Sequence, residues 1–188
     1  MEPLGRPRRN VELKARDGDP ARSLDTCLSL GARDRGVIVQ RDTYFDVLTG
    51  RLKLREETPG KPHLIQYVRA SEPQQRPSSY RIVEVGDGAA LRAALAESLG
   101  IRGVVSKRRR LLLWNDVRIH LDQVEGLGCF VELEAVAPSE SNLTREHELV
   151  IELRDALRIT DDRLCAKGYA EQLLGDAGRG AAGAPAGD

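Results

Sequence analysis

Residues 10–16 read Asn-Val-Glu-Leu-Lys-Ala-Arg, and polar and apolar side chains alternate along this stretch. Residues two apart in a β-strand face the same side. Glu12, Lys14 and Arg16 would therefore lie on one face, and Val11 and Leu13 on the other. The period predicts a first strand with one charged and one apolar face.

The same division into a charged and an apolar face recurs in four later segments. Their charged faces carry Lys53 and Arg55, then Lys107 and Arg109, then Arg118, His120 and Asp122, and finally Glu132 and Glu134. Arg69 and Arg81 are further candidates for the charged face. Charged residues make up 31% of the chain, and a charge within a strand needs either solvent or a partner.

Turn residues and hydrophobic periodicity divide the chain into eight predicted strands and four predicted helices. The strands are expected at 10–16, 37–46, 51–57, 63–70, 80–85, 104–113, 117–122 and 130–137. The helices are expected at about 20–30, 89–99, 143–157 and 169–174. Strands joined mainly by hairpins favour an α+β fold, an eight-stranded antiparallel β-barrel with helices packed outside.

Two arrangements of this sheet fit the alternation. An antiparallel sheet commonly packs its apolar face on helices and leaves its charged face in solvent. A closed barrel would instead enclose the charged face. The number of strands and the clustering of acids apart from bases favour the enclosed arrangement, because a solvated face more often mixes the signs. Such a lumen suits a polyanion carried with Mg²⁺ or Mn²⁺.

Composition restricts the class of protein. A chain of 188 residues fits one domain, and its 29 basic and 29 acidic residues cancel, so net charge indicates neither a nucleic-acid partner nor a membrane. Cys27, Cys129 and Cys165 lack metal-ligand spacing and indicate a reducing compartment. We expect a cytoplasmic protein with a disordered N-terminus (1–7), a single domain (8–175) and a disordered Gly/Ala-rich tail (176–188).

Several short motifs resemble, in the same order, those of the CYTH domain. This superfamily of triphosphate tunnel metalloenzymes includes class IV adenylyl cyclases and thiamine triphosphatases. Residues 10–14 resemble its Glu-x-Glu-x-Lys signature, with Asn10 in place of the first Glu. Further matching motifs lie at 41–46, 52–56, 107–109, 119–128 and 130–134. The stretch 119–134 is most similar to the class IV branch.

The resemblance implies an eight-stranded tunnel that binds a triphosphate with two divalent cations, Mg²⁺ or Mn²⁺. Matching positions make the expected metal ligands Glu12, Glu132, Glu134 and Asp122. The expected phosphate-binding residues are Lys14, Lys53, Arg55, Arg69, Arg81, Lys107 and Arg109. We expect Lys14, Asp122 and His120 to be catalytic, although His120 would equally suit a filler of the barrel end. Class IV relatives suggest a homodimer.

Three functions are compatible with these residues. The class IV pattern favours conversion of ATP to cyclic AMP and pyrophosphate. A triphosphatase acting on thiamine triphosphate, tripolyphosphate or a nucleoside triphosphate would need nearly the same site. A non-catalytic binder of triphosphate or polyphosphate is suggested by Asn10, which offers a carbonyl oxygen without a charge and should bind one metal more weakly.

Overall fold

The computed structural model describes residues 8–69 and 76–174, without the side chains of residues 8, 69 and 76–78. The two predicted disordered ends, 1–7 and 176–188, lie outside the described residues, as do residues 70–75 and 175.

The described residues form eight strands and four α-helices. The strands are β1 (Arg8–Arg16), β2 (Arg33–Phe45), β3 (Arg51–Thr58), β4 (His63–Arg69), β5 (Arg76–Glu84), β6 (Ile101–Trp114), β7 (Val117–Val124) and β8 (Gly128–Ala137). The helices are α1 (Pro20–Ser29), α2 (Gly88–Leu99), α3 (Thr144–Ala156) and α4 (Tyr169–Leu174), and a 3₁₀ turn spans Asp161–Arg163.

The strands close into an antiparallel barrel in the order β1-β5-β4-β3-β2-β6-β7-β8. Closure depends on β1, which pairs with β5 on one side and with β8 on the other. The predicted eight-stranded barrel is confirmed, and the alternative of a sheet with one solvated charged face is wrong.

The main apolar core lies outside the barrel wall. Val11 and Leu13 of β1 and Leu133 of β8 belong to one buried cluster with Val150 and Leu153 of α3. Full burial of one such side chain contributes about 1.5–3 kcal/mol. Because the apolar faces of these strands are covered by helices, their charged faces point into the barrel.

Helix α4 covers one end of the barrel. The Tyr169 ring centroid lies 3.8 Å from Lys14 Nζ on β1, and Glu171 pairs with Arg51 of β3. Leu174 packs against Gly103 of β6, where an added Cβ would approach Leu174 Cδ1 to 2.8 Å. None of the helices within the described ranges is long and apolar enough to span a membrane.

Candidate active site

The barrel encloses a cavity of about 380 Å³, to which all eight strands contribute side chains. Gly168 and Tyr169 line it where α4 covers the barrel. The wall has three chemically distinct sectors, which we call basic (β2, β3 and β6), acidic (β1, β7 and β8) and apolar (β4 and β5).

The basic sector is organised around one carboxylate. Asp42 of β2 is fully buried. Its Oδ1 accepts a hydrogen bond from Arg55 Nε at 2.7 Å and its Oδ2 accepts one from Arg55 Nη2 at 2.8 Å. Lys53 Nζ and Lys107 Nζ also donate to Oδ2, at 2.9 and 2.8 Å. The strand register explains this convergence, because Asp42 lies opposite Arg55 on β3.

Burial shifts the ionisation of this cluster. Desolvation, aided by the neighbouring Arg55 charge, lowers the pKa of Lys53 to about 7 and the pKa of Lys107 to about 8. Asp42 opposes both shifts. Burial alone would raise the pKa of Asp42, but Arg55, Lys107 and Lys53 together hold it well below its usual range. Asp42 is therefore ionised, and it favours the charged forms of both lysines.

The acidic sector contains a row of residues that face one another across three strands. Lys14 of β1 lies opposite Glu132 of β8, which lies opposite His120 of β7. Glu132 accepts from Arg109 at 2.8 Å, and Lys14 Nζ lies 3.2 Å from it. The distance between His120 Nδ1 and Glu132 Oε2 is 3.4 Å. Burial, together with the charge of Arg109, lowers the pKa of His120, so its imidazole is neutral at pH 7.

A second row in this sector places two carboxylates side by side. Glu12 of β1 lies directly opposite Glu134 of β8, and Glu134 lies opposite Arg118 of β7. Like charges directly opposite each other destabilise a sheet. Asn10 Nδ2 donates to Glu134 Oε1 at 2.6 Å, and Arg118 Nη1 lies 3.5 Å from Glu134 Oε2. These contacts offset part of the repulsion.

Asp122 of β7 holds Arg109 in place. It accepts hydrogen bonds from Arg109 Nε at 2.6 Å and from the Tyr169 hydroxyl at 2.9 Å. Burial would raise the pKa of Asp122, but Arg109 lowers it below the ordinary carboxyl value. Asp122 is fully buried and is not one of the cavity-lining residues.

The apolar sector lies across the barrel from β6 and β7 in the strand order. Ile65 and Tyr67 of β4 line the cavity beside their cross-strand neighbours Ile82 and Tyr80 of β5. Among the described side chains of β4 and β5, those that face the cavity carry no charge.

Most of the predicted site residues come together in this cavity. The predicted residues that line it are Glu12, Lys14, Lys53, Arg55, Lys107, Arg109, His120, Glu132 and Glu134. The placement of Arg81 on the inner face is not supported: Tyr80 and Ile82 face the cavity, so the intervening Arg81 is exposed outside and contacts Gln66. Nor is a metal-facing Asp122 supported, because Arg109 and Tyr169 occupy its oxygens. The side chain of Arg69 lies outside those described.

The sequence did not reveal Asp42, Gln40 or the four tyrosines that line the cavity. Alternation offers a signal for the β2 residues in this group, because Gln40, Asp42 and Tyr44 are spaced two apart. That signal is obscured in the second half of β2, where Asp42, Thr43, Tyr44 and Phe45 are all buried.

The oxygen donors of the acidic sector fit one hard divalent cation. Within the described residues, no three His, Cys, Asp or Glu side chains form a ready metal-binding group. Nevertheless, Asn10 Oδ1 is buried and has no hydrogen-bond donor among the side chains that the structure describes, and it belongs to the side chain that contacts Glu134. Together with Glu12, these residues provide oxygen ligands of the kind that Mg²⁺ and Mn²⁺ prefer. Glu132 fits less well, because Lys14, Arg109 and His120 surround its carboxylate.

These observations define the class of the protein by its architecture, a closed antiparallel barrel with cations and carboxylates clustered inside. The chain belongs to the CYTH domain family, whose model matches residues 8–169. The resemblance found in the sequence motifs is thereby confirmed. No curated protein matches this chain in sequence.

Several solved structures share the fold. The PH1012 protein from Pyrococcus horikoshii OT3 is 24% identical with a TM-score of 0.77, and the match covers 86% of this chain and 98% of that chain. A candidate adenylate cyclase from Vibrio parahaemolyticus is 20% identical (TM-score 0.73), with coverages of 87% and 97%. HpAC1 from Hippeastrum, a candidate adenylyl cyclase with a dominant triphosphatase activity, is 14% identical (TM-score 0.61), with coverages of 89% and 94%.

Proposed function

We propose that this chain is an enzyme that binds a triphosphate in the barrel cavity and cleaves one of its phosphoanhydride bonds. The observation that carries the proposal is the convergence of cationic side chains from three strands on one enclosed cavity: Lys14, Lys53, Arg55, Lys107 and Arg109. Arginine offers paired donors to phosphate oxygens and lysine offers a point charge. These contacts are stronger in an enclosed site than in water.

The same residues suit catalysis, because phosphoryl and nucleotidyl transfer depend mainly on positioning and on stabilising charge. Asn10, Glu12 and Glu134 would hold a Mg²⁺ or Mn²⁺ ion. When bound, such an ion neutralises charge on phosphate oxygens. His120 is neutral, lies beside Glu132 and lines the cavity, so its imidazole can accept a proton from an attacking hydroxyl.

Adenylyl cyclisation is the first candidate reaction. The ribose 3′-oxygen of ATP would lose its proton and bond to the α-phosphorus, while the bond from that phosphorus to the β-phosphate oxygen breaks and pyrophosphate leaves. The class IV-like pattern at 119–134 supports this reaction. The apolar sector supports an organic triphosphate, because Tyr67 and Tyr80 can pack against a nucleoside but offer little to inorganic phosphate.

Hydrolysis is the second candidate. In that reaction water would lose a proton and attack the γ-phosphorus, while the bond from that phosphorus to the β–γ bridging oxygen breaks. The diphosphate leaves, and the attacked phosphorus becomes inorganic phosphate. His120 could accept the proton from water as readily as from a hydroxyl. HpAC1 shares the fold and has a dominant triphosphatase activity, which supports the same possibility for this chain.

Mass spectrometry of the products would test these reactions. Incubation of the purified chain with ATP and Mn²⁺ or Mg²⁺ should give cyclic AMP and pyrophosphate. Detection of ADP and phosphate instead would indicate hydrolysis. ATP that binds but stays unchanged would indicate a binding protein. In the matched variant His120→Asn, turnover should fall by about 100-fold while ATP still binds. A wild-type chain that converts no triphosphate, whether or not it binds one, would contradict the proposal.

A further inference from the structure

Asp42 is surrounded by the cations of the basic sector. Its two oxygens accept four hydrogen bonds, two from Arg55 and one each from Lys53 and Lys107. The three donors come from β3 and β6, on either side of β2 in the strand order. One side chain therefore ties together phosphate-binding candidates from two separate strands.

Without Asp42 these cations would oppose one another. Arg55 lowers the pKa of both lysines, which burial has already lowered, and Lys107 also lowers the pKa of Lys53. Lys53 would then be the first of the three to lose its proton, and both lysines would be free to turn away from the cavity. Asp42 counteracts this at close range, because its single negative charge favours the protonated forms of both lysines.

We propose that Asp42 is a positioning residue of the phosphate-binding site, which holds Lys53, Arg55 and Lys107 together and favours the charged forms of both lysines before the anion arrives. This inference rests on the proposed function, in which those three residues bind triphosphate. Such preorganisation lowers the cost of arranging charges when the ligand binds. Asp42 is a poor proton acceptor, because cationic donors occupy both oxygens and hold its pKa well below the ordinary value.

A purely structural role for Asp42 is the competing explanation. The pH dependence of anion binding distinguishes it from the positioning role. Lys53 faces Asp42 and Tyr44 of β2, Tyr67 of β4 and Lys107 of β6, beside Arg55 on its own strand. Of these groups, the Asp42 carboxylate is the one whose charge raises the pKa of Lys53. Removal of that charge should therefore make Lys53 lose its proton at a lower pH. A structural role would weaken binding equally at every pH.

The test is calorimetric titration of inorganic tripolyphosphate, without metal, into the full chain between pH 6 and pH 8.5. We expect Asp42→Asn to bind tripolyphosphate at least tenfold more weakly than wild type at pH 8.5. The ratio of the two dissociation constants should be at least threefold smaller at pH 6. Asp34→Asn, which removes a half-exposed acid from the same strand, is the matched control and should follow the wild type. Comparison with wild type at each pH cancels the ionisation of tripolyphosphate itself.

The outcomes separate the two proposals. A folded Asp42→Asn chain with wild-type affinity, or with the same loss at every pH, overturns the role of Asp42. If Asp42→Asn does not fold, Asp42→Glu should keep the wild-type pH profile with at least threefold weaker binding, and unchanged affinity would overturn the inference. A wild-type chain that does not bind tripolyphosphate or ATP overturns the proposed function, and this inference with it.

Discussion

Asn10 connects β1 and β8 through its hydrogen bond to Glu134, while its own carbonyl oxygen is buried with no donor in the described part of the chain. A buried acceptor left unpaired costs about 1–3 kcal/mol. A cation bound to this oxygen would remove that cost. Glu12 and Glu134 are adjacent across the strands, so the same cation would also relieve their repulsion.

Replacing Asn10 with Glu tests this metal site. Asn10→Glu would add a third carboxylate beside Glu12 and Glu134 and remove the amide donor. We expect a lower melting temperature without metal and a larger rise on adding Mn²⁺ than in wild type. Thermal denaturation with Mn²⁺ or with EDTA measures both effects, and neutral Asn10→Gln is the matched control. An equal Mn²⁺ response in all three chains would contradict a cation site at Asn10.

The site was predictable only in part at the level of single residues. Alternation correctly placed the charged residues of β3, β6 and β8 on the inner face. It failed on β5 because the inner residues there are Tyr80 and Ile82. This strand therefore departs from the pattern of the charged strands, whose inner face is charged and whose outer face is apolar. It also left Asp42 without a role, because charge pairing between β2, β3 and β6 depends on contacts between strands rather than on local period.

At the scale of elements, α4 is small but it connects the barrel end to the site. The Tyr169 hydroxyl donates to Asp122, and its ring lies over Lys14 and packs edge-on against Phe130. Asp122 in turn holds Arg109, which contacts Glu132. The chain of contacts from α4 through Asp122 therefore fixes a guanidinium in the cavity.

Tyr169→Phe isolates one link of this chain. The ring would still cover Lys14, but Asp122 would lose one of its donors, so we expect about 1 kcal/mol lower stability in urea unfolding. We also expect weaker ATP binding, since Arg109 would be less firmly held. Tyr169→Leu, which also removes the ring, should lose more on both measures. If Tyr169→Phe matched wild type in both, the hydroxyl would have no positioning role.

Element boundaries were predicted well where turn residues are clear. The helix expected at about 20–30 begins at Pro20, and the Asp19 carboxylate caps it by accepting from the Arg22 backbone amide. β5 was predicted to begin at Tyr80, whereas it begins at Arg76, because pairing with β1 compensates for a proline-containing segment. β2 begins at Arg33 rather than Val37, with a register irregularity between Asp34 and Val37.

At the scale of the whole molecule, closure gives the charged faces their function. The residues of β1 are more than a hundred positions in sequence from their partners on β8. No local period could therefore establish that the sheet closes. The ordered family motifs supplied that information. Closure converts a charged sheet face into an enclosed cavity, where an unpaired charge is costly.

The proposed function requires triphosphate to bind the inward-facing cations. Lys107 and Arg108 are adjacent on β6, yet Lys107 is buried in the cavity and Arg108 is exposed outside. The most direct measurement is calorimetric titration of ATP with Mg²⁺ into Lys107→Met and Arg108→Met. We predict at least tenfold weaker binding, about 1.4 kcal/mol, for Lys107→Met and wild-type binding for Arg108→Met. Equal affinity in the two variants would contradict a triphosphate site inside the barrel.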